Sequence, residues 1–243
     1  MRILITGAFG QLGHALQSIL SKKSNYELIC TGRKVKKGQE GIPLDIRNQV
    51  ALKELINTTS PDILINLAAM TNVDACELNP KLAGEINVAG LEHICDSFKG
   101  KIIHLSTDYV FDGTSGPYKE DDPLNPISIY GKTKLASEHI LLEKDIKNLV
   151  IRGNVLYDYS PHTSASFLNW VVSSLKGNQE IKVVEDQFNN PTWTRSMSDI
   201  IELSIENDLE GIIHWGDSEH ISRFEFAKLI AKKFSLNESL IKP

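Results

Sequence analysis

The chain has 243 residues, of which 41% are hydrophobic, and a formal net charge of -5. This length supports one full α/β core with a small additional lobe, and the acidic balance provides no basic surface for nucleic acid or an anionic membrane. Cys30, Cys76 and Cys95 have no paired spacing and are expected to be free thiols in a reducing compartment. We therefore expect a cytoplasmic protein that acts on a small molecule and has neither a leader segment, a membrane span nor a metal site.

Short apolar runs alternate with helical patterns along the first two thirds of the chain. In chain order, strands are predicted at residues 2–6, 27–31, 62–69, 101–105 and 149–155, and helices at 11–20, 48–56, 74–98 and 127–143. This alternation is typical of a parallel sheet with crossover helices on both faces. The predicted fold class is α/β, a Rossmann-type doubly wound parallel sheet.

The alternation becomes irregular in the last third of the chain. A polar loop is predicted at residues 157–164, helices at 167–175, 196–205 and 222–234, strands at 181–184 and 211–215, and a turn at 189–192. We predict a dinucleotide-binding domain with the catalytic residues at 1–155. Residues 156–243 are predicted to form mainly a small C-terminal substrate-binding lobe, with elements that can return to the main sheet.

Three glycines, Gly7, Gly10 and Gly13, stand between the first strand and the first helix. They suit a tight turn, close approach of a pyrophosphate, and close packing of helix on strand, in that order. Gln11 and Leu12 open the helix, whose N-terminal N–H groups and dipole attract phosphate. The strand and amphipathic helix on either side favour a nicotinamide dinucleotide site over a purely structural turn.

The end of the second predicted strand bears on the choice of cofactor. NAD-specific domains usually have an acidic residue there for the ribose 2'-hydroxyl, but this chain has Arg33. A forked contact from Arg33 to a 2'-phosphate favours NADPH over NADH. The alternative is that Arg33 and Lys34 form only a solvated basic corner. Asp45 and Ile46, at the end of a third strand, are placed to touch the adenine.

Tyr130 and Lys134 are four residues apart and therefore share one face of a helix. A neighbouring ammonium favours the phenolate of a tyrosine, which brings its pKa towards neutrality. Thr107 follows the strand at 101–105, at the sheet edge where ligand chemistry collects, and its hydroxyl can hydrogen-bond a substrate carbonyl oxygen. We predict that Thr107, Tyr130 and Lys134 converge on one carbonyl group.

These motifs resemble the extended short-chain dehydrogenase/reductases, and within them the dTDP-4-dehydrorhamnose reductase family. The resemblance also includes residues 66–69, 87–90, 106–113, 186–192 and 211–215. It implies that Thr107, Tyr130 and Lys134 are the catalytic residues and that Asp45, Ala68 and Ala69 contact the cofactor, as do Tyr130 and Lys134. The substrate-binding candidates are Thr71, Val110, Phe111, Asn154 and Trp193. A nucleotide-sugar substrate and a possible homodimer are the expected partners.

The chain departs from that family in its substrate half. Where the family usually has Arg-Thr-Ser-Trp, this chain has the residues Arg152, Gly153, Asn154 and Val155, and Asn190 occupies a position that is often alanine. These differences leave the particular sugar open. The chain is also shorter than is usual for the family, which implies a further segment of the substrate lobe.

Tyr109 helps to select the reaction. Related nucleotide-sugar dehydratases have Asp-Glu after the threonine, whereas this chain has Asp108 and Tyr109, which favours carbonyl reduction over elimination of water. Asp108 is then more a hydrogen-bond acceptor than an acid or base. The expected reaction is reduction of dTDP-4-dehydrorhamnose, or a close analogue, in the synthesis of cell-surface polysaccharide precursors. The alternatives are a nucleotide-sugar epimerase or dehydratase, and an NADP-binding regulatory subunit like that of methionine adenosyltransferase.

Overall fold

A computed structural model describes residues 1–159 and 166–243. The strands are β1 (Arg2–Thr6), β2 (Glu27–Gly32), β3 (Ile42–Pro43), β4 (Ile63–Asn66), β5 (Lys101–Thr107), β6 (Asn148–Gly153), β7 (Leu156–Tyr157), β8 (Ile181–Lys182), β9 (Phe188–Asn189), β10 (Thr192–Trp193), β11 (Gly211–Trp215), β12 (Ile221–Ser222) and β13 (Ile241–Lys242). The helices are α1 (Gln11–Leu20), α2 (Gln49–Thr59), α3 (Val73–Leu78), α4 (Pro80–Gly84), α5 (Gly90–Ser97), α6 (Ile129–Glu143), α7 (Phe167–Lys176), α8 (Thr194–Glu206) and α9 (Arg223–Lys233).

Seven of these strands form one parallel sheet in the order β11-β6-β5-β4-β1-β2-β3. The strand order reverses between β1 and β4, and a crevice for ligands opens at such a point beyond the carboxyl ends of the strands. The Rossmann-type doubly wound sheet predicted from the sequence is confirmed. No helix within residues 1–159 or 166–243 is long and apolar enough to cross a membrane.

Alternate residues of the buried strands face the two layers of helices. On one face Ile3 and Ile5 pack with Leu16 of α1 and Met197 of α8. On the other face Leu4 packs against side chains from α2, α5 and α6. Burial on both faces explains why these strands are apolar without polar alternation.

The last third of the chain contributes to both the sheet and a separate lobe. β11 pairs with β6 at the edge of the main sheet, and α8 packs against α1. A third hydrophobic cluster lies between α7 and α9, and it includes Val171, Phe226 and Ile241. The lobe therefore has its own small core.

Several predicted boundaries differ from the structure. The helix predicted at 74–98 consists of α3, α4, a π-helical turn (Glu85–Ala89) and α5. Pro80 has no N–H for the preceding turn, so one helix ends at Asn79 and another begins. The strand predicted at 62–69 ends at Asn66. Residues 160–164 of the predicted polar loop lie outside the described residues. The cysteines are free thiols, two of them buried and Cys30 partly so.

Candidate active site

The turn after β1 contains three glycines with different requirements. Gly7 has a φ of +67°, and a Cβ there would lie 2.7 Å from the Ala68 backbone nitrogen. A Cβ on Gly13 would overlap the backbone of Ala8, so this glycine allows α1 to pack against the end of β1. Gly10 is exposed, and the nearest atom to a Cβ there is the Gly7 carbonyl oxygen, at 3.3 Å. The turn therefore offers an open backbone surface at Gly10.

The first turn of α1 fits the pyrophosphate of a dinucleotide. Gly10 is the N-cap and provides no side-chain cap, so the first N–H groups remain available to an anion at the positive end of the helix dipole. Gln11 Nε2 is buried and has no hydrogen-bond partner among the described residues. Leu12 is buried in the core, so its backbone alone can contact a ligand.

The residues predicted to bind the adenosine half of the cofactor differ in how accessible their side chains are to a ligand. Arg33 is exposed directly after β2. Asp45 is already paired with Arg47, whose Nη2 lies 2.6 Å from Asp45 Oδ2, and hydrogen bonding to Arg47 lowers the pKa of Asp45. The side chain of Ile46 is buried against Gly90, so the expectation that it touches the adenine is restricted to its backbone. Arg47 is a further cation at this corner that the sequence analysis did not single out.

The segment after β4 lies beside the glycine turn. Ala68 and Ala69 are half-buried there. Asn87 holds this segment: its side chain accepts from the Met70 N–H at 2.7 Å and donates to the Met70 carbonyl oxygen at 3.1 Å. It also donates to Thr133 Oγ1 on α6, at 3.0 Å. A single buried amide thus links the proposed cofactor side of the crevice to the helix that carries Tyr130 and Lys134.

Thr107 and Tyr130 meet at the carboxyl edge of the sheet. Thr107 is the last residue of β5, and α6 begins immediately before Tyr130, where the Ser128 hydroxyl accepts from the Gly131 N–H at 3.0 Å. A Cβ on Gly131 would overlap the Tyr109 carbonyl, so glycine allows α6 to approach this edge. The hydroxyls of Tyr130 and Thr107 interact at this edge, since the Thr107 hydroxyl acts to lower the pKa of Tyr130. The structure therefore brings two of the three predicted catalytic residues into contact.

The pKa of Tyr130 differs from the expectation for a tyrosine next to an ammonium. Burial raises the pKa of Tyr130, and the neighbouring Thr107 hydroxyl only partly offsets this increase. Lys134 is 2% exposed and its Nζ lies 2.9 Å from His104 Nε2. Burial lowers the pKa of Lys134 to about 8. In the free chain Tyr130 therefore holds its proton, and Lys134 is the group shifted towards neutrality.

Asp108 completes this group of residues. Its carboxylate accepts from Thr107 Oγ1 at 3.1 Å, which agrees with the predicted role as a hydrogen-bond acceptor. Burial raises the pKa of Asp108 to about 6. The Thr107 hydroxyl donates to Asp108, and its oxygen accepts from the Tyr109 N–H at 3.3 Å. One lone pair of the oxygen therefore remains to accept from Tyr130.

The five substrate-binding candidates occupy different environments. Val110 is fully buried and Phe111 is 7% exposed, with the Phe111 ring stacked 4.3 Å from that of Tyr118. These two side chains pack in the interior, and their predicted contact with the substrate stays a prediction. Thr71 is exposed and Trp193 is 47% exposed. Asn154 Oδ1 is buried without a hydrogen-bond partner among the described residues, so it can still take a ligand donor.

Arg152 belongs to a buried network below these residues. Its guanidinium contacts Glu138 on α6, with Nη2 and Oε2 2.8 Å apart, and both side chains are almost fully buried. Arg152 also lies over the Phe111 ring and donates to the Glu120 carbonyl oxygen. The network joins α6, β6 and the loop that follows β5. The sequence contains no local signal for it, because Glu138 and Arg152 are on different elements.

Comparison with known proteins agrees with this geometry. The family described as RmlD substrate binding domain matches residues 1–243. The chain belongs to this family. A dTDP-4-dehydrorhamnose reductase of Aggregatibacter actinomycetemcomitans is 31% identical, over 99% of this chain and 83% of that protein. The crystal structure of the Bacillus anthracis dTDP-4-dehydrorhamnose reductase in complex with NADP aligns at 32% identity with a TM-score of 0.89, covering 100% of this chain and 83% of that one.

Proteins of other functions are also similar to this RmlD-family chain. The beta subunit of methionine adenosyltransferase 2 from Xenopus tropicalis is 32% identical, over 100% of this chain and 75% of that protein. A Thermus thermophilus UDP-glucose 4-epimerase with NAD aligns with a TM-score of 0.88 but at 20% identity, which shows a shared fold alone. Within the part of the chain that the structure describes, no three His, Cys, Asp or Glu side chains are grouped to hold a metal ion.

Proposed function

We propose that the protein is an NAD(P)-dependent oxidoreductase that reduces the 4-keto group of a nucleotide sugar. The substrate that fits best is dTDP-4-dehydrorhamnose or a close analogue, reduced to dTDP-rhamnose for cell-surface polysaccharide precursors. One observation carries the proposal: the side chains of Tyr130 and Thr107 come together at the carboxyl edge of the sheet that also bears the glycine turn. The named reductases among the relatives support the same reaction.

The residues have distinct roles in such a reduction. The hydride comes from the reduced nicotinamide of a bound NADPH. Tyr130 donates the proton to the developing alkoxide, and the raised pKa of Tyr130 keeps that proton in place until the oxygen needs it. Thr107 orients the carbonyl oxygen, with its own hydroxyl aligned by Asp108. Lys134, whose amine is one helical turn from Tyr130, holds the ribose and takes part in restoring the Tyr130 proton.

NADPH is proposed as the preferred cofactor because of Arg33. The corner after β2 is cationic, and the nearby carboxylate of Asp45 is neutralised by its ion pair with Arg47. A 2'-phosphate is thus favoured there over a ribose hydroxyl that needs an acidic partner. Fluorescence titration of Arg33→Ala should show a larger loss of affinity for NADPH than for NADH. Equal losses for the two cofactors would contradict the preference.

An NADP-binding regulatory subunit is the second candidate, supported by the similarity to the beta subunit of methionine adenosyltransferase 2. The two functions differ in their need for proton transfer. A binding module has no use for a Tyr130 hydroxyl placed beside Thr107, whereas a reductase requires it. We favour the reductase for this reason.

The deciding experiment measures the loss of NADPH absorbance in the presence of dTDP-4-dehydro-6-deoxy-L-lyxo-hexose. The proposal expects turnover by the wild type, and a loss of about two to four orders of magnitude in kcat for Tyr130→Phe, because a positioned proton donor is removed. NADPH affinity of that variant should stay nearly unchanged. Tight NADPH binding without turnover by the wild type would favour the regulatory subunit, and turnover unaffected by Tyr130→Phe would refute the assigned proton donor.

A further inference from the structure

A row of buried polar side chains crosses three adjacent strands beneath Lys134. Thr6 on β1, Asn66 on β4 and His104 on β5 are direct partners in the sheet register. Thr6 Oγ1 donates to Asn66 Oδ1 over 2.6 Å, and Asn66 Nδ2 donates to His104 Nδ1 over 3.1 Å. His104 Nε2 is 2.9 Å from Lys134 Nζ. None of the four side chains is more than 2% exposed.

The orientation of the Asn66 amide determines the tautomer of His104. The distance of 2.6 Å between Thr6 and Asn66 is typical of O–H···O and short for N–H···O, so the amide oxygen faces Thr6. The amide nitrogen then faces His104 Nδ1, which must accept. Burial holds the pKa of His104 well below its ordinary value, so the imidazole is neutral. A neutral imidazole that accepts at Nδ1 carries its proton on Nε2.

The Nε2–H of His104 points at Lys134 Nζ, which therefore has to accept. An ammonium has three donors and no acceptor, whereas a neutral amine has a lone pair. The lowered pKa of Lys134 is consistent with an amine at this position. The row thus matches the deprotonated form of Lys134.

We propose that His104 is a positioning residue of the proton-transfer site, which donates a hydrogen bond to the neutral Lys134 amine and changes tautomer when Lys134 takes up a proton. In the protonated state the Lys134 ammonium donates to His104 Nε2, and the imidazole proton is on Nδ1. The Asn66 amide turns over, so that its oxygen accepts from Nδ1–H and its nitrogen donates to Thr6 Oγ1. One proton is gained, and it resides on Lys134. The catalytic consequence rests on the proposed role of Lys134, whereas the coupling to His104 does not.

The other titratable groups around Lys134 differ in their effect on it. Tyr130 lies one turn before it on α6 and keeps its proton. Glu138 lies one turn after it and raises the pKa of Lys134 against the effect of burial, while its carboxylate is shared with Arg152 of β6. On β5, His104 is the ionisable partner within hydrogen-bond reach. Glu138 and Arg152 should be left unchanged in any test of the row.

The test is an NMR titration of the wild-type protein without cofactor. Imidazole ¹⁵N shifts report which nitrogen of His104 is protonated, and ¹³Cε shifts report the ionisation of Lys134. We expect the Nε2–H tautomer above the Lys134 midpoint, near pH 8, and the Nδ1–H tautomer below it, with one common midpoint. In Lys134→Met the tautomer change should disappear. A single His104 tautomer throughout the titration of Lys134 would overturn the proposal.

Two variants of His104 extend the test. His104→Gln retains an amide donor for Lys134 and should keep the Lys134 midpoint near that of the wild type. His104→Leu removes both the donor to the amine and the acceptor for the ammonium. The charge-assisted bond to the buried ammonium is the stronger of the two, so the Lys134 midpoint should fall by about one pH unit. The pH profile of kcat should shift by the same amount in His104→Leu. An unchanged Lys134 midpoint in that variant would contradict the proposal.

The wild-type titration decides the question even if His104→Leu does not fold. Absence of NADPH turnover in the wild type would overturn the proposed reductase but not the coupling of His104 to Lys134. The two failures are therefore distinguishable.

Discussion

At the scale of single residues, Gly10 and Gly13 belong to one motif but have different requirements. A side chain at position 13 has no space against the backbone of Ala8, whereas one at position 10 would contact a carbonyl oxygen at 3.3 Å and project from the open side of the turn. Gly13 is therefore required for packing, whereas Gly10 is required for the approach of a ligand.

Alanine substitutions should separate these two requirements. We expect Gly13→Ala to lower the free energy of unfolding by about 1 to 3 kcal/mol through overpacking. Gly10→Ala should change stability by less than about 1 kcal/mol but weaken NADPH binding at least about tenfold, because a methyl group would stand at the proposed position of the pyrophosphate. Urea unfolding and fluorescence titration of the same two variants provide the comparison. If both variants changed stability and NADPH affinity in the same way, the two glycines would not have separate requirements.

The lowered pKa of Lys134 predicts that the stability of the protein depends on pH. Its pKa is about 8 in the folded protein and 10.5 in the absence of burial. The folded state therefore favours the amine, and this stabilising contribution is complete above pH 10.5 and is lost as the pH falls to 8. The difference corresponds to about 3 kcal/mol.

The measurement compares wild type with Lys134→Met across that pH range. Between pH 8 and 10.5 the wild type should gain about 3 kcal/mol of unfolding free energy relative to the variant. Lys132→Met, which removes an exposed lysine from the same helix, is the matched control and should follow the wild type. A constant difference between wild type and Lys134→Met over this range would show that Lys134 titrates normally.

At the scale of elements, α6 presents Tyr130, Lys134 and Glu138 along one face, four residues apart. Each contacts a different group: Thr107 and His104 on β5, and Arg152 on β6. The helix is thus attached to the sheet by polar as well as apolar contacts, and its position determines the geometry of the site.

Breaking the Glu138–Arg152 ion pair should destabilise the protein markedly. Both side chains are almost completely buried, so Glu138→Gln leaves an uncompensated guanidinium, at a cost of about 3 kcal/mol. The double variant Glu138→Met with Arg152→Met contains no unpaired charge and should lose less. Urea denaturation of the single and double variants measures this. A double variant at least as unstable as Glu138→Gln would show that the charges are not the cause.

At the scale of the whole molecule, the two clusters on the faces of the sheet are separate from the cluster in the lobe. Phe226 lies at the centre of the lobe cluster, where its ring contacts those of Tyr157 and Phe167. The lobe can therefore lose structure while the cofactor side remains folded.

Truncation of Phe226 tests this separation. Phe226→Ala should cost about 3 to 5 kcal/mol locally, increase hydrogen exchange in α7 and α9, and raise KM for the nucleotide sugar. NADPH affinity should stay within about twofold, since the glycine turn packs on the other clusters. Leu229→Ala, at an exposed position of the same helix, is the control and should change little. Equal loss of NADPH binding would show that the lobe and sheet unfold together.

The sequence by itself predicted the doubly wound sheet, the glycine turn and the shared face of Tyr130 and Lys134. These features depend on local periodicity and on residues close in the chain, which a single sequence displays directly. Even here the broken helix after Leu78 was missed, although Pro80 was a local signal for it.

The tertiary structure decided which side chains contact one another across elements. It placed Val110 and Phe111 in the core, brought β11 back to the edge of the main sheet, and set His104 against Lys134. His104 and Lys134 are 30 residues apart in the chain, and nothing in the local pattern of either indicates the other. Their contact and the depressed pKa of Lys134 arise from burial between a helix and a strand, and burial is a property of packing rather than of sequence periodicity.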